Sequence, residues 1–258
     1  MSTTKVNNAN HRYLMRPFGA DVQFPVETVD LRPENRVVAY TDPRGPTADR
    51  LRFLRLRLNQ VWDEEKLKRL LITSPQPHDG KSTIALNLAV ILTEQRKRRV
   101  LLIEGDLHRA SVSASLGLKG RPGVAECLES DTDPRSLVLC IEPLGCCFLA
   151  AGKASGNPSE LLHKDALGIM IESLSPHFDW ILIDSPPVAP LTDTLSWKER
   201  SDATLLIARA GQTPTLATEE ALNLLGRKHV LAILLNGVED LDSAYKKYYD
   251  AYKSANPS

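Results

Sequence analysis

The chain has 258 residues, of which 42% are hydrophobic and 25% charged, proportions that are ordinary for a globular protein with a substantial core. Its 32 Lys and Arg residues balance 32 Asp and Glu residues, so nothing in the composition indicates a nucleic-acid binder with a broadly basic surface. No apolar run approaches the roughly 18 residues of a membrane-spanning helix, and the N-terminus lacks the apolar core of a signal peptide. We therefore expect a cytoplasmic protein that would reach a membrane only through a partner.

The four cysteines form no CxxC pair, which argues against a zinc site. Cys146 and Cys147 are adjacent in an apolar run, so their side chains are expected to point to opposite faces of a strand. Together with Cys127 and Cys140, they are expected to be reduced thiols, as is usual in the cytoplasm.

The first part of the chain is predicted to be an arm followed by a helix. Residues 1–46 are rich in Pro, Asn, Asp and Arg and show weak periodicity, which predicts a mostly extended arm. Pro46 then gives a helix start signal. Leu51, Leu54 and Leu58 recur at helical spacing and predict one buried helix face.

From residue 68 onward, apolar runs alternate with helical segments. The runs RLLITS, RVLLIEG, CCFLAAG, WILIDSP, ATLLIARAG and VLAILLNGV are typical of strands buried on both faces. The clearest helical segments are KSTIALNLAVILTEQR and PSELLHKDALGIMIESL. This alternation predicts an α/β domain over residues 47–240, with a mostly parallel β-sheet flanked by helices on both faces. Ligands of such sheets bind beyond the carboxyl ends of the strands.

The stretch SPQPHDGKST, residues 74–83, joins a predicted strand to a predicted helix and ends like a phosphate-binding loop. Gly80 would let the backbone approach a phosphate, and the amides at the helix N-terminus would form an anion cradle. Lys81 would reach the β- and γ-phosphates of a nucleotide, and the Ser82 hydroxyl would bind Mg²⁺. The first glycine of the general pattern is missing, because Pro75 stands in its place. The tripeptide Gly80-Lys81-Ser82 alone is a weak signal of a phosphate-binding loop, but its place between a strand and a helix strengthens the signal.

Three carboxylates are predicted to emerge at the same edge of the sheet. Glu104 and Asp106 end the run VLLIEGD, and Asp184 ends WILID. Taken singly, an Asp after a strand is more often a turn or helix-cap residue. Mg²⁺ prefers oxygen ligands, and a carboxylate near an attacking hydroxyl can accept its proton. Beside a phosphate loop, the three together predict a catalytic magnesium site.

Taken together, these blocks resemble the bacterial protein-tyrosine kinase family, the P-loop autokinases of capsule and exopolysaccharide synthesis. The resemblance covers about residues 36–258. ITSPQPHDGKST resembles the Walker A loop, VLLIEGDLHRAS the second acidic motif called Walker A′, and ILIDSPPVAPLTD the Walker B motif. GNPSELL and LLNGV match further blocks of the family, in the same order. The resemblance implies a P-loop NTPase-like fold and implies ATP and Mg²⁺ as cofactors.

The resemblance also implies the roles of individual residues. The catalytic residues would be Lys81, Glu104, Asp106 and Asp184, with Glu104 as the base for the tyrosine hydroxyl. Mg²⁺ would be bound by Ser82, Asp106 and Asp184. The nucleotide would be contacted by Ser74, Pro77, Asp79, Gly80, Lys81, Ser82, Thr83 and Asn236.

Three residues depart from the family pattern. His78 stands where the family usually has Gly, and Glu104 and His108 stand in an Asp-x-Asp-x-Arg motif in place of its first Asp and its Arg. Because phosphoryl transfer is sensitive to shifts on the order of 1 Å, these departures predict a slower kinase, or one that retains only nucleotide binding.

The end of the chain is predicted to be a flexible tail, residues 241–258, that carries phosphoacceptors. Four of the six tyrosines lie there, namely Tyr245, Tyr248, Tyr249 and Tyr252. They also share one helical face, so a helix packed on the domain is an alternative. The family places one subunit's tail in its neighbour's site, and the motif Asp49, Arg52 and Arg55 matches its ring-assembly motif. A solvated, charged helix face is the alternative for this motif.

The sequence leaves three functions open. The leading hypothesis is a tyrosine autokinase that acts in trans within a ring-like homo-oligomer and regulates exopolysaccharide synthesis or export. Its expected partners are its own copies and a membrane-anchored activator, or chain-length determinant, and no nucleic acid. The second is a nucleotide-gated scaffold with weak or no transfer. The third is a partitioning-type P-loop ATPase, against which Gln76 argues, because those enzymes carry a signature lysine early in the loop.

Overall fold

A computed structural model describes residues 23–94, 98–130, 132–162, 165–189 and 192–238. Within these ranges, eight strands form one sheet in the order β1-β4-β5-β3-β6-β2-β7-β8. The strands are β1 (Val26–Thr28), β2 (Arg69–Thr73), β3 (Val100–Glu104), β4 (Leu139–Glu142), β5 (Cys146–Leu149), β6 (Trp180–Asp184), β7 (Ala203–Arg209) and β8 (Val230–Asn236). All neighbouring strands are parallel except β4 and β5, which are antiparallel. The predicted α/β fold with a mostly parallel sheet is confirmed.

The predicted apolar runs correspond to β2, β3, β5, β6, β7 and β8. The predicted burial on both faces is wrong for β8, which lies at an edge of the sheet and has no fully buried residue. Every residue of β3 and β6 is buried, as expected for central strands covered on both faces. The sequence did not reveal β1 and β4, which are three and four residues long and lie toward one edge of the sheet.

Helices cover both faces of the sheet. They are α1 (Val38–Thr41), α2 (Pro46–Glu65), α3 (Lys81–Thr93), α4 (Ser111–Leu116), α5 (Val124–Glu129), α6 (Pro158–Leu162), α7 (Ala166–Leu174), α8 (Asp193–Lys198) and α9 (Thr215–Leu225). Helices α2, α3 and α4 pack into one core cluster, and α5, α6, α7 and α8 into the cluster on the other face. No helix in the described part of the chain is both long enough and apolar enough to span a bilayer.

The described part of the predicted arm, residues 23–46, is not a loose extension. Strand β1 pairs in parallel with β4, and the Phe24 ring stacks on Phe178 with 5.4 Å between centroids. Val37 and Ala39, in and beside α1, are fully buried in the same core cluster as α2 and α3. The weak periodicity concealed these elements because each spans only three or four residues.

Helix α2 begins at Pro46 as predicted, and its Leu51 and Leu58 are buried while Leu54 packs partly buried against the same core. The end of α3 is tied to α2 by Glu94. Two arginines of the motif predicted for ring assembly contact this carboxylate.

Glu94 accepts hydrogen bonds from two arginines of α2. The Arg52 guanidinium binds it at 2.6 Å, and Arg55 binds it at 2.5 Å. Arg52 also donates to Asp49 at 2.9 Å, and its hydrogen bond to Glu94 raises the pKa of the guanidinium. Arg52 therefore joins Asp49 to Glu94, and Arg55 binds Glu94 and the Ile91 carbonyl of α3, all within a single chain. Their role in ring assembly stays a prediction.

Two expectations about the cysteines have different outcomes. Cys146 and Cys147 do point into opposite core clusters, as predicted. The expectation of four reduced thiols is wrong, because Cys140 and Cys147 lie directly opposite each other on β4 and β5 and form a disulfide. Cys127 and Cys146 are free, and burial raises the pKa of each to about 12.

Candidate nucleotide site

The phosphate loop runs from the end of β2 into α3 and is stabilised from within. The buried Ser74 hydroxyl donates to the Gln76 carbonyl at 2.7 Å. The buried Asp79 carboxylate accepts from the Gln76 amide at 3.0 Å and from the Thr213 hydroxyl at 2.7 Å. Ser74 and Asp79, both predicted to contact the nucleotide, thus hold the loop in shape with buried side chains.

Gly80 and Asn236 contact each other at the point where the loop enters α3. Gly80 has φ 97°, in the left-handed region, and a Cβ added there would lie 2.1 Å from the Asn236 Nδ2 atom. The same Nδ2 donates to the Asp79 carbonyl at 2.9 Å. Glycine is therefore required at position 80. The Asn236 side chain, at the end of β8, packs against Gly80 and holds the loop through its hydrogen bond to Asp79.

The loop opens into a pocket of about 850 Å³. This volume lies within the usual range for small-molecule sites. The structure brings to its walls the following predicted site residues: Pro77, Gly80, Lys81, Ser82, Thr83, Asp106 and Asn236. The pocket lies at the carboxyl ends of β2 and β3, where the sheet topology predicts a ligand.

Lys81 is the buried cation of this pocket, with only 8% of its surface exposed. Its Nζ atom lies 3.1 Å from Asp106 Oδ2 and 3.8 Å from Asp184 Oδ1. It also lies 3.3 Å from the Ser82 hydroxyl. The lysine, the hydroxyl and two of the three predicted carboxylates are therefore one group of interacting side chains.

Gly105 fixes the distance between the two acidic strand ends. Its amide donates to the Asp184 carbonyl at 2.7 Å, and its carbonyl accepts from Trp197 Nε1 at 3.0 Å. A Cβ on Gly105 would lie 2.7 Å from the Trp197 ring. The close packing of this glycine holds Asp106, the next residue, beside the end of β6.

Asp184 is more deeply buried than Asp106. Burial raises its pKa to about 6, while Lys81 and the neighbouring Ser82 act to lower the pKa. Neither carboxylate oxygen has a hydrogen-bond partner within bonding geometry among the described residues. Buried oxygens without a partner are suited to a cation or to its bound water. Ser82, Asp106 and Asp184 therefore fit Mg²⁺, an ion that proteins usually hold with one or two carboxylates and the phosphates of a substrate.

The described residues contain no cluster of three or more His, Cys, Asp or Glu side chains with the arrangement of an all-protein metal cage.

Glu104, the residue predicted to act as the base, is enclosed by hydrogen bonds at the start of α4. Its fully buried carboxylate accepts hydrogen bonds from the amides of Val112 at 2.6 Å and Ser113 at 3.0 Å. It also accepts from the Ser113 hydroxyl and from the Ala151 amide. Burial raises its pKa, and these hydrogen bonds oppose the rise. Glu104 anchors the start of α4 and does not line the pocket.

Two further pocket residues were noted in the sequence only as departures. His78 has φ 70°, so it occupies a conformation that glycine adopts more easily, and its ring lies 3.3 Å from Arg109 Nη1. His108 lies 3.0 Å from the buried carboxylate of Asp193 and 3.3 Å from the Ser159 hydroxyl. Both histidines line the pocket.

Sequence reasoning missed four other pocket residues, which lie outside the motifs. Glu34, Asn35 and Arg36 come from the predicted arm, and Arg209 comes from the end of β7. Neither set belongs to a recognisable motif. The position of Arg209 after a strand was the only signal available, since parallel strands end at the ligand-binding edge of the sheet.

Several known proteins resemble the chain in sequence. It is 31% identical over 197 residues to the tyrosine-protein kinase ptk of Acinetobacter johnsonii, a match that covers 76% of this chain and 27% of that protein. It is 26% identical over 208 residues to the tyrosine-protein kinase YwqD of Bacillus subtilis, covering 80% and 87%. It is 28% identical over 227 residues to the succinoglycan biosynthesis transport protein ExoP of Rhizobium meliloti, covering 80% and 29%. The chain thus spans nearly all of YwqD but less than a third of ptk and ExoP. No family model matches the sequence.

Solved structures of similar shape agree with these relatives. The kinase domain of Escherichia coli tyrosine kinase ETK aligns with a TM-score of 0.75 and 24% identity, covering 80% of this chain and 82% of that one. The BceF tyrosine kinase domain aligns with a TM-score of 0.70 and 27% identity, covering 86% and 98%. The P-loop fold, its pocket and these likenesses agree with one another. The chain belongs to the bacterial tyrosine-protein kinase family.

Proposed function

We propose that the chain is an ATP-dependent protein-tyrosine kinase. The observation that carries the proposal is the position of Lys81, which is buried at the phosphate loop between Asp106 and Asp184. A lysine at this place stabilises charge on a phosphoryl group in transfer. Membership of the bacterial tyrosine-protein kinase family supports tyrosine as the acceptor of the phosphoryl group.

ATP and Mg²⁺ fit the residues present. Bound in this pocket, Mg²⁺-ATP would supply the phosphoryl group and a divalent charge. Lys81 would bind the phosphates, and Thr83, Gly80 and Pro77 would border them. Ser82, Asp106 and Asp184 would hold the metal or its water.

We propose that the tyrosine proton passes to an acceptor other than Glu104, whose carboxylate is fully buried and hydrogen-bonded. Asp106 is the alternative, because it lines the pocket and Glu104 does not. As the tyrosine oxygen bonds to the γ-phosphorus and the bond to the ADP oxygen breaks, the proton of the hydroxyl would pass to Asp106.

The proposed acceptors are the tail tyrosines Tyr245, Tyr248, Tyr249 and Tyr252, which lie outside the described residues. We infer that they enter the site of a neighbouring subunit in a ring-like oligomer. The relative ExoP carries succinoglycan biosynthesis transport in its name. We therefore propose a role in exopolysaccharide synthesis or export, at the inner face of the membrane, with a membrane-anchored activator as partner.

The test is phosphotyrosine formation by purified protein with Mg²⁺-ATP. Signal is expected from the unaltered chain and is expected to vanish in Lys81→Met and in a variant with all four tail tyrosines changed to Phe. Phosphotyrosine that persists in Lys81→Met would remove the proposed chemistry.

A paired comparison separates the two carboxylates. Asp106→Asn is expected to lower the transfer rate by a factor on the order of 10² or more, the typical contribution of general acid–base catalysis. Glu104→Gln is expected to lower stability, by about 1–3 kcal/mol through lost hydrogen bonds, with the rate per folded molecule nearly unchanged. A rate loss in Glu104→Gln equal to that in Asp106→Asn would contradict this assignment.

A nucleotide-binding scaffold with little transfer is the second candidate. The observation that favours it is His78, whose side chain stands at the pocket beside Arg109 where the family usually has glycine. ATP binding without phosphotyrosine would support this candidate, and recovery of transfer in His78→Gly would identify the histidine as the cause.

A further inference from the structure

A segment of the N-terminal arm borders the same pocket as the phosphate loop. The short 3-10 helix Pro33–Asn35 ends at Arg36, and Glu34, Asn35 and Arg36 line the pocket. The Asn35 side chain donates to the Ser115 carbonyl in α4 at 2.6 Å. The arm is therefore attached to the structure at the edge of the site.

A second attachment runs through Asn87, a buried polar residue of α3 that the phosphate-loop chemistry does not use. Its Nδ2 donates to the Arg36 carbonyl at 2.8 Å and to the Thr83 carbonyl at 2.8 Å. Its Oδ1 accepts from the Ala39 amide at 2.9 Å. One side chain thus joins the arm to the first turn of α3, next to Lys81 and Ser82.

The backbone of Arg36 is held in an unfavourable conformation. Its φ of 56° and ψ of 30° are left-handed, a conformation that is unfavourable for a residue with a Cβ. The amide of Arg36 binds the Pro33 carbonyl at 3.0 Å, and its carbonyl binds Asn87. Backbone strain maintained by surrounding contacts is concentrated at functional positions.

The guanidinium of Arg36 is exposed on the pocket wall and has no ion-pair or hydrogen-bond partner among the described residues. The other cations there are engaged: Lys81 binds Asp106, and Arg109 and Arg209 contact the ring and the carbonyl of His78. An arginine fork without a carboxylate partner is suited to bidentate binding of phosphate.

The charges of the wall favour the same ligand. Four cations, Lys81, Arg36, Arg109 and Arg209, face two carboxylates, Glu34 and Asp106, among the lining residues. From this excess positive charge and the clamped arm, we propose that Arg36 binds the polyphosphate chain of the nucleotide. The proposal rests on the nucleotide binding of the proposed function. It makes the arm a part of the nucleotide site.

The test measures equilibrium binding of a fluorescent ATP analogue with Mg²⁺, which requires no phosphoryl transfer. Arg36→Ala is expected to weaken binding by about tenfold, the effect of losing roughly 1.4 kcal/mol, and Arg36→Lys by less. The matched control is Arg32→Ala, since Arg32 lies on the same arm, pairs with Asp30 and does not line the pocket. This control should bind within twofold of the unaltered chain.

Asn87→Ala supplies a second readout. It is expected to weaken binding too, and adding Arg36→Ala to it should cause little further loss, because the arginine would already be displaced. Thermal unfolding of each variant excludes global misfolding as the cause.

Unchanged affinity in Arg36→Ala, or equal losses in Arg36→Ala and Arg32→Ala, would overturn the proposal. Full additivity of the Asn87 and Arg36 effects would do so as well. A chain that binds the nucleotide but forms no phosphotyrosine would refute the kinase and leave the role of Arg36 intact. A chain that binds no nucleotide would refute both.

Discussion

Asp184 illustrates how the site places a functional requirement above stability. Its carboxylate is buried without a hydrogen bond, so its charged form is unfavourable in the folded chain until a cation arrives. Lys81 is 3.8 Å away and offsets part of this cost. The metal-free protein is therefore expected to be less stable at neutral pH than its packing alone would allow.

The change Asp184→Asn tests this at the residue scale. The pKa of Asp184 is 3.8 in the unfolded chain and about 6 in the folded one. The contribution of Asp184 to stability is therefore fully present below pH 3.8 and is lost as the pH rises through about 6. The difference corresponds to at most about 3 kcal/mol. In EDTA, urea unfolding should show Asp184→Asn gaining stability over the unaltered chain between pH 4 and 6, then a constant difference above. A difference independent of pH would contradict the assignment.

Sequence patterns located the acidic residues but not their partners. Glu104 and Asp106 are separated by one residue and both follow the same apolar run, yet only Asp106 reaches Lys81. What distinguishes them is α4, whose first amides and Ser113 hydroxyl enclose Glu104. These donors lie eight and nine residues later in the chain, and no local pattern reports where a helix start will pack.

At the scale of elements, one carboxylate joins α2 and α3, two helices that pack on the same face of the sheet. Glu94 follows α3 and is held by two arginines of α2, with all three side chains less than a third exposed. Charge-assisted hydrogen bonds in such partly buried settings contribute more than surface ion pairs. The contact therefore fixes the relative position of the helix that begins at the phosphate loop and the helix that covers it.

Glu94→Gln is expected to lower the free energy of unfolding by about 1–3 kcal/mol, because two guanidinium groups lose a charged acceptor. Asp49→Asn, which alters a more exposed partner of Arg52, should cost less than about 1 kcal/mol and serves as the control. Urea unfolding at two protein concentrations provides the measurement. A loss in Glu94→Gln that appears only at the higher concentration would indicate that the contact belongs to an assembly of copies instead.

The elements that sequence analysis predicted are those that carry a strong pattern. The apolar runs of β2, β3, β6 and β7 reflect burial on both faces, which composition reports directly. Strand β1 has the burial pattern of an edge, and β4 turns back on β5 in the antiparallel sense. Such short strands, at or next to the edge of the sheet, are defined by their neighbours, so the sequence near them carries little information.

At the scale of the whole molecule, β1 closes one edge of the sheet and brings Phe24 onto Phe178. Burial of a phenylalanine contributes about 3–5 kcal/mol by comparison with alanine. An uncovered strand edge is also a template for pairing with another chain.

A chain without residues 1–31 is therefore expected to unfold at lower urea concentration and to self-associate through the exposed edge of β4. A chain without residues 1–22 retains β1 and is the matched control. Size-exclusion chromatography with light scattering, together with urea unfolding, measures both effects. Equal stability and equal mass for the two truncated chains would show that β1 contributes nothing to the sheet.

Asn236 stands at the end of the last strand and holds the loop that begins the third helix. A ribosome that has synthesised only the first half of the protein has therefore produced the phosphate loop without the amide that supports it. We expect nucleotide to bind tightly only after the final strand has emerged from the exit tunnel, so that catalytic competence is acquired late in translation.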